Sequence, residues 1–313
     1  MKSVSFLTDF YYKTLFPALE KLESDRKSLK HRIIFIAITY TAIFAIIAYT
    51  LGNFYEFIIF AYIALGGILY KFLVHDYTNE FKISVIKPLI HAIDYTLLYS
   101  SKTHVSEYFF EHSQLFDKPD KLSGNDYVKG NIDGINIQFS DIHAEKKNQN
   151  SKGRDTWSTI FQGLFIIADF NKHFNGETIV LPDTAQKGFG DVIGHWIQSN
   201  NMARDELVKM DDPAFEKEFV VYSTNQIEAR YILSHSLMKK LLDFKHKSKQ
   251  SVYISFIGTH IFMAISYDKD LFEPSVFRSL LDYQVAMEYV KTLHLAISIV
   301  EELKLNQKLW SKR

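Results

Sequence analysis

Apolar and polar residues are distributed very unevenly along this chain. From Ile33 to Leu51, nineteen residues pass without Asp, Glu, Lys or Arg. At about 1.5 Å per residue such a helix is roughly 28 Å long, close to the hydrocarbon thickness of a bilayer. Gly52 and Asn53 form a turn signal, and a second apolar run extends from about Phe54 to Val74. Its two charges, Glu56 and Lys71, lie near its ends, where side chains reach the interface. Tyr49, Tyr55 and Tyr70 fall where an interfacial aromatic belt would place them. The pattern predicts a two-span membrane hairpin. A buried soluble hairpin would have to hide two helices that are apolar on every face.

Both flanks have helical period. Before the first span, Tyr12, Leu15, Phe16, Leu19 and Leu22 recur among charges. After the second, Ile83, Ile86, Ile90, Ile93 and Leu97 share one face, with Pro88 expected to kink or restart the helix. These two flanks are expected to pack on each other, adsorption of the second on the membrane being the alternative. Small residues at Ala37, Thr41 and Ala45, and at Ala61, Ala64, Gly66 and Gly67, suit close helix packing and raise the prospect of a homo-oligomer.

From about Tyr108 the period shortens. Tyr127–Val128 and Ile135–Phe139 flank Asp133–Gly134 as a hairpin. "IFQGLFIIADF", "ETIVLP" and "EFVVYS" read as strands, and "SVYISFIG" with "THIFMAISY" reads as a second hairpin. "KKNQNSKGRDT" (Lys146 to Thr156) reads as an exposed loop. "GFGDVIGHWIQSNN" reads as a turn and short helix, and "SHSLMKKLLDFKHKS" as a helix capped by Ser234. A long helix is expected from Ser275 to about Lys304, with Leu280, Val285, Tyr289, Leu293 and Ile297 inward. Strands in adjacent pairs predict an α+β class with a largely antiparallel sheet, or a small capped barrel. The expected division is 1–107 for the helical membrane region and 108–313 for the α+β domain.

Charge adds an orientation. Lys21, Arg26, Lys27, Lys30, His31 and Arg32 precede the first span. Lys71, Lys82 and Lys87 follow the second, and the connection carries no positive residue. The positive-inside rule then places both termini in the cytoplasm. With 36 basic and 36 acidic residues the net charge is zero, so no field recruits nucleic acid. The absence of cysteine removes disulfides, thiolate nucleophiles and Cys-ligated zinc.

Candidate chemistry is sparse. Gly188, Gly190 and Gly194 form a glycine-rich turn without the lysine of a phosphate loop. His143, His173, His195, His235 and His260 show no ligand spacing, and Asp169 and His173 lie around a strand end rather than on one helical face. Asp211, Asp212, Glu216 and Glu218 suit a helix start better than a paired-carboxylate site, since Pro213 follows the cap position. No catalytic residue, cofactor or metal is assigned.

"FQGLFIIADFNKHFNGETIVLPD", "DDPAFEKEFVVYSTNQIEARYIL" and "DLFEPSVFRSLLDYQ", with "YYKTLFPALEKLE" before two spans, resemble the bacterial domain-of-unknown-function family numbered 3137. The resemblance implies this architecture and no activity. Relatives encoded near LemA-type membrane proteins imply work in a membrane assembly. Three functions remain in view: a non-enzymatic interaction or assembly module, an enzyme or ligand sensor with a pocket around Asp169, His173 and Asp183, and a lipid-binding domain.

Overall fold

A computed structural model describes residues 3–50, 55–132, 134–149, 153, 155–169, 173–183, 207–267, 270–285, 287–291 and 294. The chain divides into two compact units. A helical unit takes Lys2–Ile93 and Phe272–Lys291, and a sheet unit takes Asp94–Leu271. The division thus comes earlier than 107/108, and a segment from beyond the sheet returns to the helical unit.

In the helical unit, Ser3 caps α1 (Val4–Asp9) by accepting the Phe6 N–H. A wide turn over Phe10–Thr14 leads into α2 (Phe16–Thr50). Helix α3 covers Tyr55–Phe81, a second wide turn Lys82–Ile86, and α4 Lys87–Ile93. Residues 51–54, the expected outer turn, lie outside the described residues.

The buried positions of α2 are Leu19, Leu22, Glu23, Arg26, Leu29 and Ile33, one helical face confined to its first half. Beyond them the helix is apolar and exposed, as at Phe35 and Ile38. In the most apolar window of α2 only 6% of residues are buried, and in that of α3 none. Two helices are therefore long and apolar enough to cross a membrane, and their most apolar stretches are not buried among the described residues.

Pro88 is accommodated just before its position rather than by a break. The Lys87 N–H bonds the Lys82 carbonyl, five residues back, and this widened turn leaves room where the proline ring would crowd a regular helix. The extra residue also rotates the apolar face. Ile86, Ile90, Ile93 and Leu97 are buried as expected, but Ile83 is 58% exposed and Lys82 is buried in its stead. Lys82 Nζ pairs with Glu273 Oε1 at 2.6 Å.

That partner belongs to the returning segment. Residues 275–282 form bends and turns, and helical residues begin only at 283, later than the Ser275 expected. Leu293 and Ile297 lie outside the described residues. The bent stretch matches its backbone to α2: Arg26 grips Glu23 through Nε–Oε2 (2.9 Å) and Nη2–Oε1 (2.7 Å), and donates from Nη1 to the Val276 carbonyl at 2.6 Å. The Leu280 N–H donates to Glu23 Oε2, and the Tyr11 hydroxyl donates to the Leu280 carbonyl.

The sheet unit has nine described strands: β1 Leu98–Ser100, β2 Lys121–Ile132, β3 Ile135–Gln149, β4 Asp155–Asp169, β5 Thr178–Pro182, β6 Leu207–Val208, β7 Phe219–Ser223, β8 Val252–Ile257 and β9 His260–Ser266. Their order is β1-β2-β3-β4-β9-β8-β5-β7-β6, and every pair is antiparallel. Among the described residues no pairing joins β1 to β6, so the described strands form an open sheet. Its helices are α5 (Glu107–His112), α6 (Pro213–Glu216), α7 (Gln226–Ile232) and α8 (His235–Ser248), the last capped by Ser234.

The central strands carry continuous apolar runs because both faces are covered; Phe161, Phe165, Phe262 and Ala264 join Phe110 of α5 in one buried cluster. At Gly163 (φ +146°) a Cβ would lie 2.1 Å from the Ile265 carbonyl oxygen, so β4 and β9 approach closely only over glycine.

The expected loop from Lys146 to Thr156 is mostly strand. Lys147 pairs with Trp157 and Gln149 with Asp155 across an exposed ribbon, with a 2.7 Å ion pair from Lys147 to Asp155. A ribbon wet on both faces has no apolar alternation, so its ladder was invisible to a pattern of hydrophobicity.

Candidate functional site

Strands β2 and β3 form the hairpin expected around Gly134. Its N–H donates to Asn131 Oδ1, and Ile132 faces Ile135. Period two then sorts the side chains. Val128, Ile132, Ile135, Ile137 and Phe139 are buried on one face, while Tyr127, Lys129, Asn131, Asn136 and Gln138 take the other. A bulge between Asn125 and Val128, with Asp126 at φ +57°, sets this phase.

The polar face continues across the sheet. Pairing aligns Leu98, Lys129, Gln138, Ile167 and Phe262 in one cross-strand row, and Asn131, Asn136, Asp169 and His260 in the next. Both rows apart from the buried Phe262, together with Thr96 and Phe109, line a concave pocket of ≈ 570 Å³. This is the region where the sheet unit brings titratable and amide groups together over an apolar floor.

Hydrogen bonds within the wall fix how it faces inward. Tyr127 Oη donates to Gln138 Oε1 at 2.8 Å, and Asn131 Nδ2 donates to Asn136 Oδ1 at 2.8 Å. Each amide oxygen is thus occupied by a donor from the fold, leaving the NH₂ groups of Asn136 and Gln138 for the pocket. Lys129 is exposed and has no ion pair among the described residues. On the far side, burial pushes the His260 imidazole below its ordinary value, against the opposing pull of Asp169, so the ring is neutral at pH 7. Its ring lies 5.6 Å from that of Phe109.

Of the three residues expected around a pocket, only Asp169 lines this one. His173 is exposed, and Asp183 spends its backbone N–H on the Glu218 carbonyl. The other histidines are dispersed: His143 meets Thr159, and His235 lies 3.6 Å from Asp212. His195, Gly188, Gly190 and Gly194 lie outside the described residues. Asp212 caps α6 through the Ala214 and Phe215 N–H groups, Glu216 accepts the Met210 N–H, and Glu218 pairs with Lys245 at 2.7 Å. That ion pair holds the Glu218 carboxyl below its usual range. Among the described residues no three His, Asp or Glu side chains gather as a metal site.

Lys129, Asn136 and Gln138 are what sequence reasoning passed over. Their signal was present: once the Asp133–Gly134 turn is set, polar residues at 127, 129, 131, 136 and 138 share a strand face whose reverse is wholly apolar.

The model of a family described as "Protein of unknown function (DUF3137)" matches residues 159–305. This stretch is a DUF3137 domain. The resemblance noted from sequence is thereby met, over the second half of the chain; the "YYKTLFPALEKLE" block precedes the match. The DUF3137 domain supplies Ile167, Asp169 and His260 to the pocket, whereas Lys129, Asn131, Asn136 and Gln138 come from strands before it. No curated protein matches the chain. A solved structure, "crystal structure of the mycobacterial trehalose monomycolate transport factor A, TtfA", aligns over 64% of this chain and 86% of its own at 10% identity, with a TM-score of 0.31. A score that low does not establish a shared fold.

Proposed function

We propose that this chain is a two-span inner-membrane protein with both ends in the cytoplasm, and that its sheet unit works by binding a ligand in the pocket rather than by catalysis. The observation that carries the binding reading is the row Asn131–Asn136–Asp169–His260 beside Lys129 and Gln138, polar groups converging over Ile167 and Phe109. Exposed apolar surface along α2 and α3 supports insertion in lipid, and the basic residues flanking both runs support the orientation.

Native mass spectrometry of the full chain in native lipid discs tests the binding reading. A small molecule retained by the wild-type protein and missing from the Asn136→Leu/Gln138→Leu variant is the expected result. Equal retention by both, or none by either, would sink it. Topology is tested on the same chain: since it has no cysteine, Gly52→Cys gives a single thiol. Labelling from outside intact cells by an impermeant maleimide is expected.

A second reading, assembly with another copy or with a LemA-type membrane protein, draws on Ile227 and Tyr231, one turn apart on α7 and 83% and 54% exposed. A discrete multimer or a stoichiometric second protein in the same spectra would favour it.

A further inference from the structure

The wall of the pocket is chemically lopsided, and that asymmetry specifies a ligand. The carbonyl oxygens of Gln138 and Asn136 are taken by Tyr127 and Asn131, so this wall offers donors: two amide NH₂ groups and the Lys129 ammonium. Lys129 lies directly opposite Gln138 across the β2–β3 ladder, where Cβ atoms are about 4.5–5.5 Å apart. Asn136 is two residues from Gln138 on the same face, about 7 Å along the strand. Three donors at these spacings converge on one group with several acceptor oxygens and a negative charge. The opposite end differs: Asp169, one strand beyond Asn136, and the neutral His260, two strands beyond, present acceptors, and the Asp169 carboxylate disfavours a second anionic charge there. Between them, Ile167 and Phe109 offer apolar surface.

We infer that the pocket binds a monoanionic ligand, a phosphodiester or carboxylate head at Lys129, Gln138 and Asn136, with a hydroxyl or amine reaching Asp169. This inference rests on the binding reading above and names its ligand class. The same chemistry occurs in the headgroup of a hydroxylated anionic phospholipid and in a free hydroxy acid or deacylated headgroup.

The experiment is a calorimetric titration of the full chain in phosphatidylcholine discs with glycerophosphoglycerol and, separately, 3-hydroxybutyrate. Thermal melting in phosphatidylglycerol discs provides a third arm. Saturable binding of either soluble probe, weakened about tenfold or more by Lys129→Met and by Gln138→Leu, is the expected result. Affinity should also fall as salt rises. Stabilisation by phosphatidylglycerol that is absent in Lys129→Met, without soluble binding, assigns the site to a lipid head and equally supports the inference. No response in any arm, or responses equal in wild type and variants whose melting temperatures match, overturns it. If the retained molecule of the mass-spectrometric test proves neutral and neither probe displaces it, the binding reading stands and this ligand class falls.

Discussion

Glu23 and Lys129 each place a charge on a regular element, and their surroundings treat it in opposite ways. Around Glu23 the helical unit closes every approach. Arg26 grips the carboxylate with two nitrogens, the Leu280 N–H adds a third donor, and the third Arg26 nitrogen is spent on Val276. Around Lys129 the sheet unit satisfies the neighbouring amide oxygens and leaves the NH₂ groups turned outward. A polar group whose partners all come from the chain specifies a fold, whereas one whose partner is withheld is available to something else.

The comparison can be broken most forcefully at Glu23. Glu23→Ala leaves Arg26 buried without its counter-charge and should cost about 3–5 kcal/mol, read as a lowered denaturation midpoint of the full chain in detergent. Replacing both, as Glu23→Leu/Arg26→Met, should recover much of that loss if the cost lies in the orphaned charge.

Acid should act on the same pair. The hydrogen bond from Arg26 holds the Glu23 carboxyl below its ordinary value of 4.5. Its contribution to stability is therefore complete above that value and lost as pH falls through the lower, folded one. Wild type should lose more stability than Glu23→Gln as pH falls below the ordinary carboxylate value, and parallel melting curves would refute the assignment.

A smaller effect is expected at Tyr127→Phe. Loss of one hydrogen bond should cost about 1 kcal/mol in melting experiments, and Gln138, no longer held, should bind its ligand more weakly. Lys129→Met should change stability least, by less than about 0.5 kcal/mol, while weakening ligand binding about tenfold or more. A large stability loss there would place Lys129 with Glu23, as part of the architecture.

The sheet was legible wherever one face was buried. "GINIQF" alternates, "GLFIIAD" runs apolar because it is covered on both sides, and both hairpins carry their turn residues. Legibility failed where the cause was not hydrophobic. The ribbon at Lys146–Gln149 is held by ladder bonds and charge pairs, and the exposure of Ile83 follows from a widened turn that the 3.6-residue period cannot contain. The pocket was half legible. Asp169 stood out as a polar end to an apolar strand, but its row needs the register of four strands spread from Asn131 to His260, which no spacing in sequence reveals. The partner of Glu23 was hidden for the same reason, since Leu280 follows it by 257 residues.

That separation has a consequence in time. At about 5–20 residues per second, a ribosome needs roughly 13–50 s to pass from Glu23 to Leu280. Throughout that interval the carboxylate and guanidinium have each other but not the backbone groups of Val276 and Leu280 that complete their shell. The base of the helical hairpin is thus translated early and finished late, after the whole sheet has left the ribosome. Synthesis cut short before residue 280 would betray itself at the opposite end of the chain, as an ion pair without its full set of backbone partners and open to any protease that inspects it.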